Sequence, residues 1–350
     1  MKALQLQDYW KLAIVDMESP EPAHGEVLVE IVATGICGSD FHGFTGENGR
    51  RVPGQVMGHE TVGRVAGVGQ GVSGLGLGQV VTINPVVVPE SDVETYEGRE
   101  QMSPRKKVIG VTPEITASFA QRISVPMRNV VALPESMPIE LGALIEPLAV
   151  AVHAVHRAQV TAGMKVLVLG GGPIGQSVVL ALQMLGVKTI AVTEMMDSRK
   201  QLVTELGAHA IDAGAEDVVG QIAGHLGGTA DVAIDAVGIE STVNLAMQAT
   251  RMGATICLVG MGASKLPIEA FKVSTEERSL VGSFTYSAEE FEDAARWMGS
   301  APPQAAKLIS RKVPLTAAQD EFTHLAEGGD TPGKVLVMFH DSQDEKGPTQ

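Results

Sequence analysis

Apolar residues follow two different rhythms along the chain. Up to about Pro134 they come in short alternating runs cut by glycine, proline and asparagine, as in Val27-Leu28-Val29-Glu30-Ile31-Val32 and Gly63-Arg64-Val65-Ala66-Gly67-Val68-Gly69. Short strands separated by turn residues predict a twisted, barrel-like all-β unit. Residues 139–157 carry apolar positions at helical spacing and predict a connecting helix, bent or interrupted at Pro147. From Lys165 the rhythm changes. Val166-Leu167-Val168-Leu169 reads as a buried strand, a glycine turn follows, and 176–185 reads as an apolar helix. Strands at 189–193, 232–234 and 255–259 with a helix at 198–206 complete an order that predicts a parallel, doubly wound sheet. A last strand, 334–339, returns to a sheet, and the polar residues after Asp341 read as a frayed tail.

Length and charge narrow this picture. The 350 residues suffice for two domains with a core that needs no covalent staples. Lys and Arg number 26 against 41 Asp and Glu, a formal charge of -15 that argues against nucleic acid or an anionic membrane surface as a partner. No charge occurs between Lys165 and Lys188, but Gly170-Gly171-Gly172-Pro173 breaks that stretch into strand, turn and buried helix rather than a membrane span. The first residues turn polar at once, without the apolar core of a signal peptide, and only Cys37 and Cys257 occur. A reducing, cytoplasmic location is therefore expected, with Cys257 as packing in an apolar strand.

Gly170-Gly171-Gly172-Pro173-Ile174-Gly175 matches G-x-G-x-x-G between a predicted strand and a predicted helix. In that setting the glycines allow a sharp turn and let the backbone approach a pyrophosphate at the helix N-terminus. Glu194 follows nineteen residues after Gly175, at the end of the next strand. A carboxylate there accepts hydrogen bonds from an adenosine ribose and repels a 2′-phosphate, which points to NAD rather than NADP. Arg199, with Lys200 beside it, is a further candidate for cofactor contact.

Cys37-Gly38-Ser39-Asp40-Phe41-His42, Gly58-His59-Glu60 and Glu146-Pro147-Leu148-Ala149-Val150 together supply one sulfur, one imidazole and one carboxylate. Three such donors hold Zn2+ and leave a fourth tetrahedral position open, which is how a catalytic zinc differs from a structural one. Each residue alone reads as packing or surface; the set does not.

On these motifs, with Gly282-Ser283-Phe284, the chain resembles the medium-chain zinc-dependent alcohol and polyol dehydrogenases, in particular the sorbitol dehydrogenase-like branch, from Leu4 to Phe339. The resemblance implies an α/β protein with a GroES-like β-barrel catalytic domain over 1–150 and a Rossmann NAD-binding domain over 151–282. A C-terminal segment, 283–350, then returns to the catalytic domain. It implies Cys37, His59 and Glu146 as ligands of one catalytic Zn2+ per chain. Glu60 would be a nearby acid that serves a zinc-bound water or exchanges onto the metal, and Asp40 the carboxylate that orients His59. The implied reaction is hydride transfer between NAD and a secondary alcohol of a polyol, sugar or sugar derivative. Ser39 accepts the hydroxyl proton, and a relay runs on to His42 and solvent. The partner is a small-molecule alcohol or ketone, and the assembly a homo-oligomer, tetramer before dimer.

Two positions depart from the polyol pattern: Gly43 stands where an aromatic residue follows the relay histidine, and Thr285 where a basic residue follows Phe284. Tyr286 is retained and, with Phe284, is assigned to the substrate pocket. The departures widen the expected substrates to other secondary alcohols, acyclic or cyclic. Arg50-Arg51, near the pocket entrance in the family's layout, reads as solvated surface rather than an anion anchor. The family's structural zinc takes four cysteines, whose spacing falls here on Pro89, Asp92, Thr95 and Ser103. No structural zinc is expected, and packing and local charge pairs must hold that lobe. The alternative is an amino-alcohol dehydrogenase of the threonine type, which shares the zinc set; a non-catalytic nucleotide-binding protein has no use for it.

Overall fold

The computed structural model describes residues 1–47 and 49–339; the tail expected after Asp341 lies outside them. The chain divides into two compact units, one holding 1–146, 291–302 and the residues from Ile309 on, the other 147–290 and 303–308. The chain passes between the units after Glu146 and Glu290, and 283–290 with 303–308 belong to the second unit, whereas the sequence reading returned all of 283–350 to the catalytic domain.

Strand Glu26–Gly35 is the hub of the first unit's seven-stranded sheet. It pairs antiparallel with Glu60–Val68, Arg122–Pro126 and Lys334–Met338. Val27, Val29 and Ile31 form the fully buried face that the alternation predicts, packed on Val65, Val81, Ile123 and Val125. A second core gathers Leu4, Leu6, Phe44, Met57 and Phe119 around Phe322, whose ring meets Phe44 and Phe119 edge to face at 5.6 and 5.5 Å. The register sets Gly35 opposite both Glu60 and Leu336. Three strand ends therefore meet: Cys37 lies just past the first, Glu60 opens the second and Lys334 opens the third.

The second unit carries a six-stranded parallel sheet in the order His209–Asp212, Thr189–Glu194, Lys165–Leu169, Ala230–Asp235, Thr250–Leu258, Ser279–Gly282. Chain order reverses beside Lys165–Leu169, the place where open α/β sheets bind their ligands. Val166, Leu167, Val168 and Leu169 are all fully buried, because helices cover both faces of a parallel sheet and no alternation survives. Cys257 is buried in its strand; burial, opposed by the charge of Arg157, pushes its thiol up to about 12, so it stays neutral packing.

Pro147 does not interrupt the connecting helix. Ile139–Leu144 forms a 3-10 segment and Ile145–Arg157 an α-helix with Pro147 in its first turn, where backbone N–H groups have no helical partner to lose. Among the described residues, Ile139–Arg157 is the one helical stretch long and apolar enough to cross a membrane, and most of it is buried inside the protein.

The lobe at 89–107 is tied by a polar knot at two of the positions where the family places cysteines. Asp92 and Ser103 are both buried; Ser103 Oγ donates to Asp92 Oδ2 at 2.6 Å, and Arg105 donates to both Asp92 oxygens. The hydrogen bonds from Arg105 and Ser103 hold the Asp92 carboxyl below its ordinary value. A carboxylate shifted downward on folding contributes stability that is fully present above its ordinary value and lost as pH falls below that value through the lowered one. Asp92→Ala is expected to speed backbone hydrogen exchange within 89–107 and leave the rest of the chain as protected as before. Exchange followed by mass spectrometry checks this, and uniform protection in the variant would discard the knot.

Candidate active site

Cys37 sits in extended backbone (φ -90°, ψ 154°) at the N-terminus of the short helix Gly38–Phe44, and its N–H donates to Asp40 Oδ2 at 3.1 Å. A carboxylate reaching back over the first turn fixes where the Cys37 sulfur leaves the strand end. His59 and Glu60 come from the start of the neighbouring strand. A sulfur, a nitrogen and an oxygen from Cys37, His59 and Glu60 lie within 4.8 Å of one another, with His59 and Glu60 buried and Cys37 partly exposed.

The charges in this corner are unbalanced. Glu60 has no exposed surface; Lys334 Nζ donates to its Oε1, while Oε2 has no hydrogen-bond partner. A β-carbon at Gly35 would fall on that carboxylate, so only glycine permits the approach. Lys334 is buried as well and donates to Ile36 O at 3.4 Å. Burial works against its charge, but Glu60, Cys37 and Glu146 hold its pKa above the ordinary lysine value. His59 Nδ1 lies 3.5 Å from Asp40 Oδ1 without the alignment of a hydrogen bond. Burial disfavours a charged imidazole here too, yet Asp40, Cys37 and Glu146 raise its pKa to about 10. A buried carboxylate oxygen without a donor, beside a histidine driven to keep its proton, is a donor set suited to a divalent cation.

This has a pH consequence. Metal binding needs His59 neutral and its surroundings favour the protonated ring, so zinc uptake by the metal-free protein at neutral pH is expected to release protons from the ligand set, that of His59 included. For each proton displaced, apparent affinity rises about tenfold per pH unit. Calorimetry in buffers of differing ionisation enthalpy measures the release, and uptake without it contradicts the assignment.

The other residues singled out from sequence fall in different places. Glu146 is buried and lies outside the 4.8 Å group, close enough for its charge to act on His59 and Lys334. Ser39 is partly exposed on the helix that follows Cys37. His42 is exposed, with Nδ1 3.1 Å from Glu47 Oε2. Phe284 is half-exposed, whereas Tyr286 is fully buried and offers a ligand no surface. Arg51 corrects the reading as solvated surface, being 1 % exposed. Sequence reasoning also missed Lys334; the available signal was a lone cation opening the apolar run 334–339.

In the second unit Gly172, which has no side chain to cap with, stands at the N-terminus of the helix Pro173–Met184, and Pro173 occupies a first-turn position. Gly170 is left-handed (φ 91°), and a β-carbon at Gly175 would fall on Gly170 O; Ile174 lies between Pro173 and Gly175 in the helix's first turn. This is a cradle in which backbone can meet a pyrophosphate. Glu194 is buried and accepts N–H groups from Gly171 (2.9 Å), Met195 (2.7 Å) and Met196 (2.9 Å). Arg199 lies beside the turn: a β-carbon at Gly172 would stand 3.6 Å from its Nη1.

Residues 23–135 match the family model for the alcohol dehydrogenase GroES-like domain, and residues 173–300 the model for zinc-binding dehydrogenase. The chain is 33% identical over 315 residues to sorbitol dehydrogenase of Ovis aries, covering 88% of each. It is 29% identical over 323 residues to L-galactonate-5-dehydrogenase of Escherichia coli (strain K12), covering 92% of this chain and 94% of that one. The crystal structure of 2R,3R-butanediol dehydrogenase from Bacillus subtilis matches with a TM-score of 0.87 at 29% identity, over 97% of this chain and 99% of that chain. Fold and site thus define an oxidoreductase of the zinc alcohol dehydrogenase type. The chain belongs to the zinc-dependent medium-chain polyol dehydrogenase family, whose cofactors are zinc and a nicotinamide dinucleotide.

Proposed function

We propose that this enzyme oxidises a secondary alcohol of a polyol, sugar or sugar acid, with NAD as hydride acceptor and one zinc per chain. The observation that carries the reading is the Cys37, His59 and Glu60 group with Ser39 on the adjoining helix turn. The substrate class follows the relatives' names, sorbitol and L-galactonate dehydrogenases among them. When bound, zinc acidifies the substrate hydroxyl and the dinucleotide accepts the hydride. Cys37 and His59 would hold the metal, with Glu60 or Glu146 as the carboxylate ligand, and Asp40, 3.5 Å from His59 Nδ1, would orient the ring from behind once the two come into hydrogen-bond alignment. Ser39 takes the hydroxyl proton, and His42, paired with Glu47, hands a proton to solvent. Glu194 supports NAD over NADP, and Phe284 presents an apolar face to substrate. The same reading makes the protein a cytoplasmic homo-oligomer, a tetramer before a dimer, which light scattering tests.

NADH formation screened over polyols, inositols, aldoses, sugar acids, sugar phosphates and threonine, with and without chelator, tests the reaction. Turnover of a polyol or sugar acid that chelation abolishes supports it, and exclusive turnover of threonine replaces it with the amino-alcohol alternative. Metal analysis of protein purified without added zinc is expected to find about one zinc per chain, because a closed structural site takes four strong donors. A stoichiometry near two would reject that part.

A further inference from the structure

Arg51 is a fully buried cation that the metal set does not use. Long basic side chains normally carry their charge out to water, and burying one is unfavourable unless it is paired and hydrogen-bonded. Here the guanidinium turns inward, with Nη2 3.3 Å from Ser39 Oγ and 3.4 Å from Asp40 Oδ1. Its Nε and Nη1 have no hydrogen-bond partner. Gly43 makes the room: a β-carbon there would fall on the Arg51 side chain, so the departure at position 43 and the burial of Arg51 are one feature. With no side-chain surface open to solvent, Arg51 does not touch a substrate, and any effect it has passes through its two neighbours.

A guanidinium only donates and does not lose its charge. Arg51 therefore occupies a lone pair of Ser39 Oγ and directs the remaining lone pair and the hydroxyl hydrogen away from itself. The same nitrogen steadies Asp40, whose oxygens face the Cys37 N–H and His59 Nδ1. We infer that Arg51 is a positioning residue for the proton step, acting through Ser39. This rests on the reading of Ser39 as the proton acceptor. In each turnover the substrate hydroxyl gives its proton to Ser39 Oγ while the serine's own proton leaves toward solvent, and the carbinol hydrogen departs as hydride to NAD. Negative charge that develops on Oγ during that exchange sits beside a fixed cation needing no rearrangement.

The test is a double-mutant cycle on the zinc-loaded enzyme with Arg51→Met, Ser39→Ala and the pair, together with Arg51→Lys. Proton transfer by positioned groups contributes about 10²–10⁴-fold, so Arg51→Met is expected to lower kcat at least about tenfold while KM for the alcohol moves less than about threefold. Its solvent deuterium isotope effect on kcat should rise, and Arg51→Lys should recover part of the rate. The pair should be no slower than Ser39→Ala alone, because the arginine has then lost the group it acts through. Losses that multiply in the pair, or kcat within about twofold of wild type in Arg51→Met, would overturn the inference. If Arg51→Met does not fold, Arg51→Lys with and without Ser39→Ala completes the same cycle. Wild-type enzyme that turns over no alcohol with NAD would instead overturn the functional reading, and is measured first.

Discussion

Cys37→Ala is expected to lose zinc and turnover together, while NAD binds as in the wild type. The sulfur is one of three donors gathered within 4.8 Å, and alanine offers nothing to replace it. Removing a residue that only supports a metal ligand costs about 10–100-fold, so removing a ligand should exceed that range. The loss also leaves Glu60 and His59 without the cation their donor atoms call for. The dinucleotide cradle belongs to the other unit, built on 170–175 and Glu194, and the substitution leaves it intact. Activity, zinc content and NADH fluorescence titration measured on one preparation separate these effects. Retention of more than about a tenth of wild-type activity is incompatible with the metal assignment, since it lies within what an outer-shell change allows.

If Glu194 selects NAD as proposed, Glu194→Ala is expected to shift cofactor preference toward NADP. In the native chain the carboxylate takes the N–H groups of Gly171, Met195 and Met196 and stays buried, so it is held fixed at the end of its strand, the position from which an acid in this fold acts on the ribose. Two like charges about 4 Å apart at an effective dielectric near 20 repel by about 4 kcal/mol. That corresponds to roughly a thousandfold discrimination. Alanine removes the repulsion and releases three N–H donors, a local environment that accepts an anion. The measurement is kcat/KM for both cofactors in wild type and variant. A wild type that reduces NADP as well as NAD contradicts the role given to Glu194, as does a variant with an unchanged ratio.

Much of this was legible in the chain itself. The period-two run at 27–31, the apolar run at 166–169 and the glycine turn after it are local patterns, and each formed the element its pattern predicts. The candidate donors were legible because cysteine, histidine and carboxylate are chemically distinctive, but the sequence put Glu146 ahead of Glu60 as the carboxylate, and it is Glu60 that lies with Cys37 and His59. Pro147 misled because a proline is read as a break, whereas its effect depends on whether it falls in the first turn or later. Arg51 misled for a different reason. A charged pair in a polar loop reads as surface, and its burial depends on the missing side chain at Gly43, eight residues earlier.

The sequence by itself therefore determined the two fold types and the strand–glycine turn–helix at 165–184, and it named the residues proposed for the metal corner, since these follow from spacing and side-chain chemistry. Tertiary structure alone decided how the charges in that corner are shared. Lys334 meets Glu60 across 274 positions of chain, and it does so because both open strands in register with the end of Glu26–Gly35. That register also brought Glu60, rather than Glu146, into the 4.8 Å group with Cys37 and His59. Strand order and register arise from packing the whole sheet on its core, so no local pattern around residue 334 or residue 51 encodes the partner that each one finds.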